Sequence, residues 1–208
     1  MRSLQIILGS LLLLIATQAA ASVPDTLEIS FIGRYPRSFP PRTSLSVING
    51  LQFKTNGEAD VRELYVLVEG RSSKKDSSQE TVAQALHNIQ LRDPTSGRTI
   101  DGVVVPGATK KNAQVYLFKD FIVNDGEVWL FRLSPSSLRT TLDQFRVTIC
   151  ARGSANPTQS GACPFAGGLF QSRADNIQSG DWLRILPEQE LMGPLQKFRL
   201  YRGKSKKS

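Results

Sequence analysis

The stretch from Gln114 to Leu133, QVYLFKDFIVNDGEVWLFRL, sets apolar residues densely on both sides of Asn124-Asp125-Gly126. Beyond that turn, Trp129, Phe131 and Leu133 share one face at the two-residue strand period, and Val128, Leu130 and Arg132 share the other. A strand covered at least partly on both faces belongs in the middle of a sheet. Gly126 can take positive φ without a Cβ clash, and Asn-Asp-Gly suits a three-residue loop, so the segment predicts a hairpin of two adjacent strands.

The remaining sequence carries the same signal in shorter pieces. Leu27 to Ile32 alternates apolar with polar, and Leu45 to Thr55 places Leu51 and Phe53 on one face before a turn at Asn56-Gly57. Arg62 to Glu69 points Leu64, Val66 and Val68 one way and Tyr65 and Leu67 the other. Ile89 and Leu91 lead to the turn Asp93-Pro94-Thr95-Ser96-Gly97, followed by a strand from Arg98 to Val105. Gln144 to Cys150 turns Phe145, Val147 and Ile149 inward and Arg146 and Thr148 outward, and Asp181–Leu186 and Gln196–Tyr201 supply two last candidates. Helix is expected only briefly, within Glu80–His87 and after Ser134-Pro135. The prolines of Arg34–Arg42 (RYPRSFPPR) exclude a central strand and predict a stiff connection, with a proline-rich ligand as the lesser alternative. Gly70 to Gln79 lacks apolar residues and reads as an exposed loop. About nine or ten short strands with turns every 8–12 residues predict an all-β chain, an antiparallel β-sandwich before a barrel.

The N-terminus predicts export. Met1-Arg2, an apolar run from Leu4 to Ile15 and Ala19-Ala20-Ala21 follow the three-part pattern of a secretory signal peptide, residues 1–21, with cleavage after Ala21. The run falls short of the roughly 20 apolar residues that span a bilayer, and no transmembrane segment is expected in the mature chain. Residues 22–201 are then one sandwich domain, and 202–208 a basic flexible tail. The net charge of +8 is a property of that end, where Lys197, Arg199, Arg202, Lys204, Lys206 and Lys207 stand without an acid among them. The remainder is nearly balanced, which argues against a nucleic-acid partner. Lys204, Lys206 and Lys207 are the candidates for contact with an anionic polymer or lipid headgroups.

Two cysteines, Cys150 and Cys163, lie in the exported part, and an oxidising compartment favours pairing them. A bridge closing a loop of about fourteen residues contributes about 3 kcal/mol in the chain-entropy model. The polar, Gly- and Ser-rich sequence between them has little other packing, so a staple fits better than a redox or metal-binding thiol.

From Leu51 to Arg152 the order of features, LQFKTNGEADVRELYVLVEG, HNIQLRDPTSGRTIDG, AQVYLFKDFIVNDGEVWLFRLS and LDQFRVTI, resembles the immunoglobulin-like or jelly-roll sandwich modules of bacterial secreted and surface proteins. The Cys…Trp…Cys spacing of antibody-type domains is absent, since both cysteines follow Trp129. The resemblance implies a binding, adhesive or structural role and carries over no catalytic residue.

The inventory of chemistry agrees with that expectation. His87 is the only histidine, and no Gly-x-Ser-x-Gly elbow accompanies it, so Ser-His and Cys-His mechanisms lack their parts. No cofactor and no metal are expected. The acid pairs Glu58/Asp60 and Asp125/Glu127 could serve glycoside hydrolysis or calcium, but each sits at a strand junction where a solvated turn explains it. Trp182, Tyr201 and Tyr35 are candidates for a ligand-stacking platform. The expectation is a secreted, extracytoplasmic, non-catalytic protein that binds protein or glycan at a cell surface. Its alternatives are a carbohydrate-binding module and then a carboxylate-dependent glycoside hydrolase.

Overall fold

In the computed structural model, the described residues are 26–33, 38–39, 46–72, 81–110, 112–135, 142–150, 172–186 and 191–198. The signal-peptide segment, Tyr35, Cys163, Tyr201, the basic tail and the helix expected after Pro135 lie outside them.

The described strands are β1 (Thr26–Ile32), β2 (Ser38–Phe39), β3 (Ser46–Lys54), β4 (Glu58–Arg71), β5 (Leu86–Arg92), β6 (Thr99–Asp101), β7 (Val103–Lys110), β8 (Ala113–Asn124), β9 (Val128–Pro135), β10 (Gln144–Cys150), β11 (Arg173–Asn176), β12 (Arg184–Leu186), β13 (Leu191–Met192) and β14 (Gln196–Phe198). The surplus over the expected number comes from pieces of two to four residues, too short to show a period. One helical turn, α1 (Val82–Ala85), is held by a capping box between Thr81 and Gln84.

These strands form two sheets. The first runs β12-β1-β3-β9-β5-β6 and the second β2-β14-β10-β4-β8-β7, with β11 also on β4 and β13 on β10. Pairing is antiparallel except for β1 with β12 and β2 with β14. The fold is an all-β sandwich, not a closed barrel. Alternation supplies its core: Leu51, Phe53, Trp129, Phe131 and Leu133 from the first sheet meet Leu64, Val66, Phe118, Phe121, Phe145, Val147 and Ile149 from the second, all essentially without solvent exposure.

The expected hairpin at Asn124-Asp125-Gly126 is not one. β8 lies between β4 and β7 in the second sheet, β9 between β3 and β5 in the first, and the turn carries the chain across the core. Both strands present large inward side chains, and these face each other: the Phe121 and Trp129 rings are 5.2 Å apart. The Glu127 carboxylate holds the crossing by accepting from the Asn124 backbone N–H (2.7 Å), Asn124 Nδ2 (3.2 Å) and Trp129 Nε1 (2.9 Å). Thr55 N–H donates to Asp125 Oδ1 and Phe53 N–H to the Glu127 carbonyl, which ties the turn to β3. The expected strand Arg98–Val105 likewise divides, β6 in the first sheet and β7 in the second, with Gly102 at the switch against the Phe118 ring.

One irregularity gathers charge on the outer face of the second sheet. Along β4 the inward residues are Ala59 and Val61, then Leu64, Val66 and Val68; along β8 they are Tyr116 and Phe118, then Phe121 and Val123. Alternation therefore slips by one in both strands at the facing pairs Arg62-Glu63 and Lys119-Asp120, where Asp120 takes φ 53°. Four charged side chains are left together on the outer face.

Candidate recognition face on the second sheet

The outer face of the second sheet has two halves. In one, Leu67, Val115 and Cys150 are buried, with Tyr65, Val105 and Ala113 packed against them. In the other, antiparallel register sets Trp182 beside Asp175, Asp175 beside Asp60, and Asp60 beside Ile122, one row across neighbouring strands. The row has apolar ends and a charged middle. Trp182 is 65% exposed and Ile122 41%.

The middle is held by Arg62. Its Nη1 lies 3.0 Å from Asp60 Oδ2 and its Nε donates to Asp175 Oδ2 at 3.1 Å, so one guanidinium bridges two carboxylates that stand directly opposite each other. The hydrogen bond to Asp175, and then the charge of Asp60, raise the Arg62 guanidinium above its ordinary range. Next to this row Lys119 Nζ sits 3.8 Å from Glu63 Oε1, and the Tyr65 hydroxyl donates to Glu63 Oε2. Burial, followed by the neighbouring Glu63, raises the Tyr65 phenol.

Trp182 is fixed by its backbone rather than by packing. Asn176 N–H donates to the Asp181 carbonyl and Leu183 N–H to the Ala174 carbonyl, each at 2.8 Å, on either side of the Asp175–Trp182 bridge. The turn between them is shaped by Asn176 Oδ1, which accepts from the N–H groups of Gln178 and Ser179, and by Gly180 at φ 73°. The Arg173 guanidinium lies 5.5 Å from the centre of the Trp182 ring.

Of the stacking residues expected from the sequence, Trp182 stands on this face, while Tyr35 and Tyr201 lie outside the described residues, as do Lys204, Lys206 and Lys207. Cys150 is buried at the end of β10, its carbonyl accepting from Ser172 Oγ at 2.7 Å. Glu58 lies opposite Asn124, so the two acid pairs sit at the same end of β4 and β8, but Asp60 joins the Arg62 bridge, whereas Asp125 and Glu127 brace the crossing turn. Among the described residues, no group of three or more His, Cys, Asp or Glu side chains could hold a metal ion, and no helix is long and apolar enough to cross a membrane.

Sequence reasoning missed Arg62, Arg173 and Asp175. Arg62 and Asp175 are separated by 113 residues, and no local pattern joins them. The one available signal was the break in alternation at Asp60-Val61-Arg62-Glu63, where a bulge places two successive charges on one face.

Fold and face together define an all-β sandwich with one half of a sheet open to solvent. No family model matches the chain, and comparison with curated proteins found no match. Among solved structures, one of AvmM, described as catalysing macrocyclization in alchivemycin A biosynthesis, is similar over 88% of this chain and 93% of that one, at 12% identity and a TM-score of 0.32.

Proposed function

We propose that this protein is an exported, non-catalytic binding protein of a cell surface or extracellular assembly, and that the open half of the second sheet is its recognition face. The observation that carries this reading is Trp182: an indole 65% exposed, on a bridge flanked by two backbone hydrogen bonds and beside an ion-pair cluster. An exposed Trp gains most from a partner that covers it, and Trp and Arg dominate binding energetics where they occur. The immunoglobulin-like or jelly-roll resemblance and the leader-like N-terminus point the same way.

Export accounts for two further features. A Cys150–Cys163 bridge would staple the polar segment that follows β10, as an oxidising compartment favours. The basic tail adds a contact with anionic polymer or headgroups, which deletion of residues 204–208 should weaken, measured as salt-sensitive adsorption to anionic vesicles.

The test of the main reading is adherence of the purified mature protein to envelopes of the source cells. Trp182→Ala should reduce it about tenfold, the size of effect expected for one covered aromatic anchor. Unchanged adherence, with far-UV circular dichroism also unchanged, would remove the face from consideration. Export is read separately, from the N-terminal sequence of the secreted protein, expected to begin at Ser22.

A further inference from the structure

We infer that the row Trp182, Asp175, Asp60 and Ile122, with Arg62 bridging its carboxylates, binds a neutral polysaccharide chain; this rests on the recognition face proposed above. Three features carry the inference. The first is length. Three inter-strand steps separate Trp182 from Ile122, about 14 Å at ordinary sheet spacing, which suits an oligomer laid across the strands better than a single small molecule.

The second is the chemistry of the middle. Asp60 presents acceptors and Arg62 donors, held by bonds at 3.0 and 3.1 Å that also engage Asp175 through Oδ2, while Asp175 Oδ1 is buried. A sugar hydroxyl both donates and accepts, so a pair of adjacent hydroxyls can address a carboxylate and a guanidinium together without breaking the pair. A polyanion would meet Asp60 and Asp175, and a polycation would meet Arg62 and Arg173. A ligand without net charge avoids both penalties.

The third is the distribution of apolar surface. Protein–protein interfaces are depleted of charge at their centre and polar at the rim. Here the order is reversed, with charge central and the exposed Trp182 and Ile122 at the ends. A sugar ring has an apolar C–H face that can lie on the indole while its edge hydroxyls reach the charged groups.

The test is affinity electrophoresis of the mature protein through gels containing hydroxyethyl cellulose, laminarin, soluble starch or alginate, the last a polyanion. At least one neutral polymer should retard the protein, insensitively to added salt. Trp182→Ala should weaken that retardation about tenfold, and Arg62→Gln should weaken it with the thermal midpoint measured in parallel. Lack of retardation by every neutral polymer, retardation unaffected by Trp182→Ala, or salt-suppressed retardation confined to alginate would each overturn the inference. The envelope-adherence measurement separates the two levels. If Trp182→Ala abolishes adherence while no neutral polymer retards the protein, the recognition face stands and its glycan ligand falls. If adherence is also unaffected, both fall.

Discussion

At the residue scale, two positions show how little freedom the core leaves. A Cβ on Gly102 would lie 2.8, 3.1 and 3.3 Å from three atoms of the Phe118 ring, and that ring is completely buried, so it has nowhere to retreat. Gly102→Ala should therefore destabilise the protein by about 1–3 kcal/mol, the usual cost of overpacking, as read from denaturant melts. Asp93 is a second case. Its carboxylate accepts from Ser96 Oγ and from the N–H groups of Thr95 and Ser96 in the turn between β5 and β6, and these bonds, the hydroxyl's first, hold its pKa below the ordinary carboxylate value. A depressed folded-state pKa stabilises above the unfolded value and ceases to do so as pH falls through the folded one. The stability advantage of wild type over Asp93→Asn should thus be full at neutral pH and shrink below about pH 4, in melts of both proteins across that range. A constant gap would mean that the charge contributes nothing.

At the element scale, the strands' inward faces were legible and their partners were not. The alternation of Phe145, Val147 and Ile149, of Leu64, Val66 and Val68, and of Trp129, Phe131 and Leu133 is local, and each set lies in the core as read. Which strand sits beside which is decided by residues far away in sequence, and there the hairpin reading failed. Asn-Asp-Gly serves an arch between sheets as well as a hairpin within one, and the deciding group is Glu127, capped by Trp129 Nε1 and the Asn124 amides. Glu127→Ala should cost about 1–3 kcal/mol, since it strands an indole N–H in a buried residue. Differential scanning calorimetry reads this directly, and an unaltered midpoint would show that the turn does not depend on the carboxylate. The paired slip in β4 and β8 makes a further demand: Asp120 sits at φ 53°, where Asp is tolerated and β-branched residues are not. Asp120→Val should lose about 1–3 kcal/mol while Asp120→Gly is neutral or better, a contrast that side-chain charge alone would not produce. The face itself was half legible. Trp182 stood out by type, but the Arg62 bridge exists only after β11 docks on β4.

At the scale of the whole molecule, β-class and layered architecture followed from strand number, turn spacing and scarcity of helix, whereas the division of strands between layers did not. Among the described strands, only β5–β6 and β7–β8 are both consecutive and hydrogen-bonded to each other; elsewhere the chain returns to a more distant partner. One cluster of buried side chains spans both sheets, so they should unfold together. In a Trp182→Phe variant the buried Trp129 is the only indole, and its fluorescence should melt in a single transition coincident with the loss of far-UV circular dichroism. Separate midpoints would show that the layers come apart independently. The interleaving also bears on ancestry and engineering. Because the backbone is stitched back and forth, a cut between β8 and β9 yields two fragments that each own strands of both layers, and neither fragment holds a complete wall. Such a protein can be copied, fused or appended to a longer polypeptide as an intact cassette, but it offers no seam along which half of it could be exchanged.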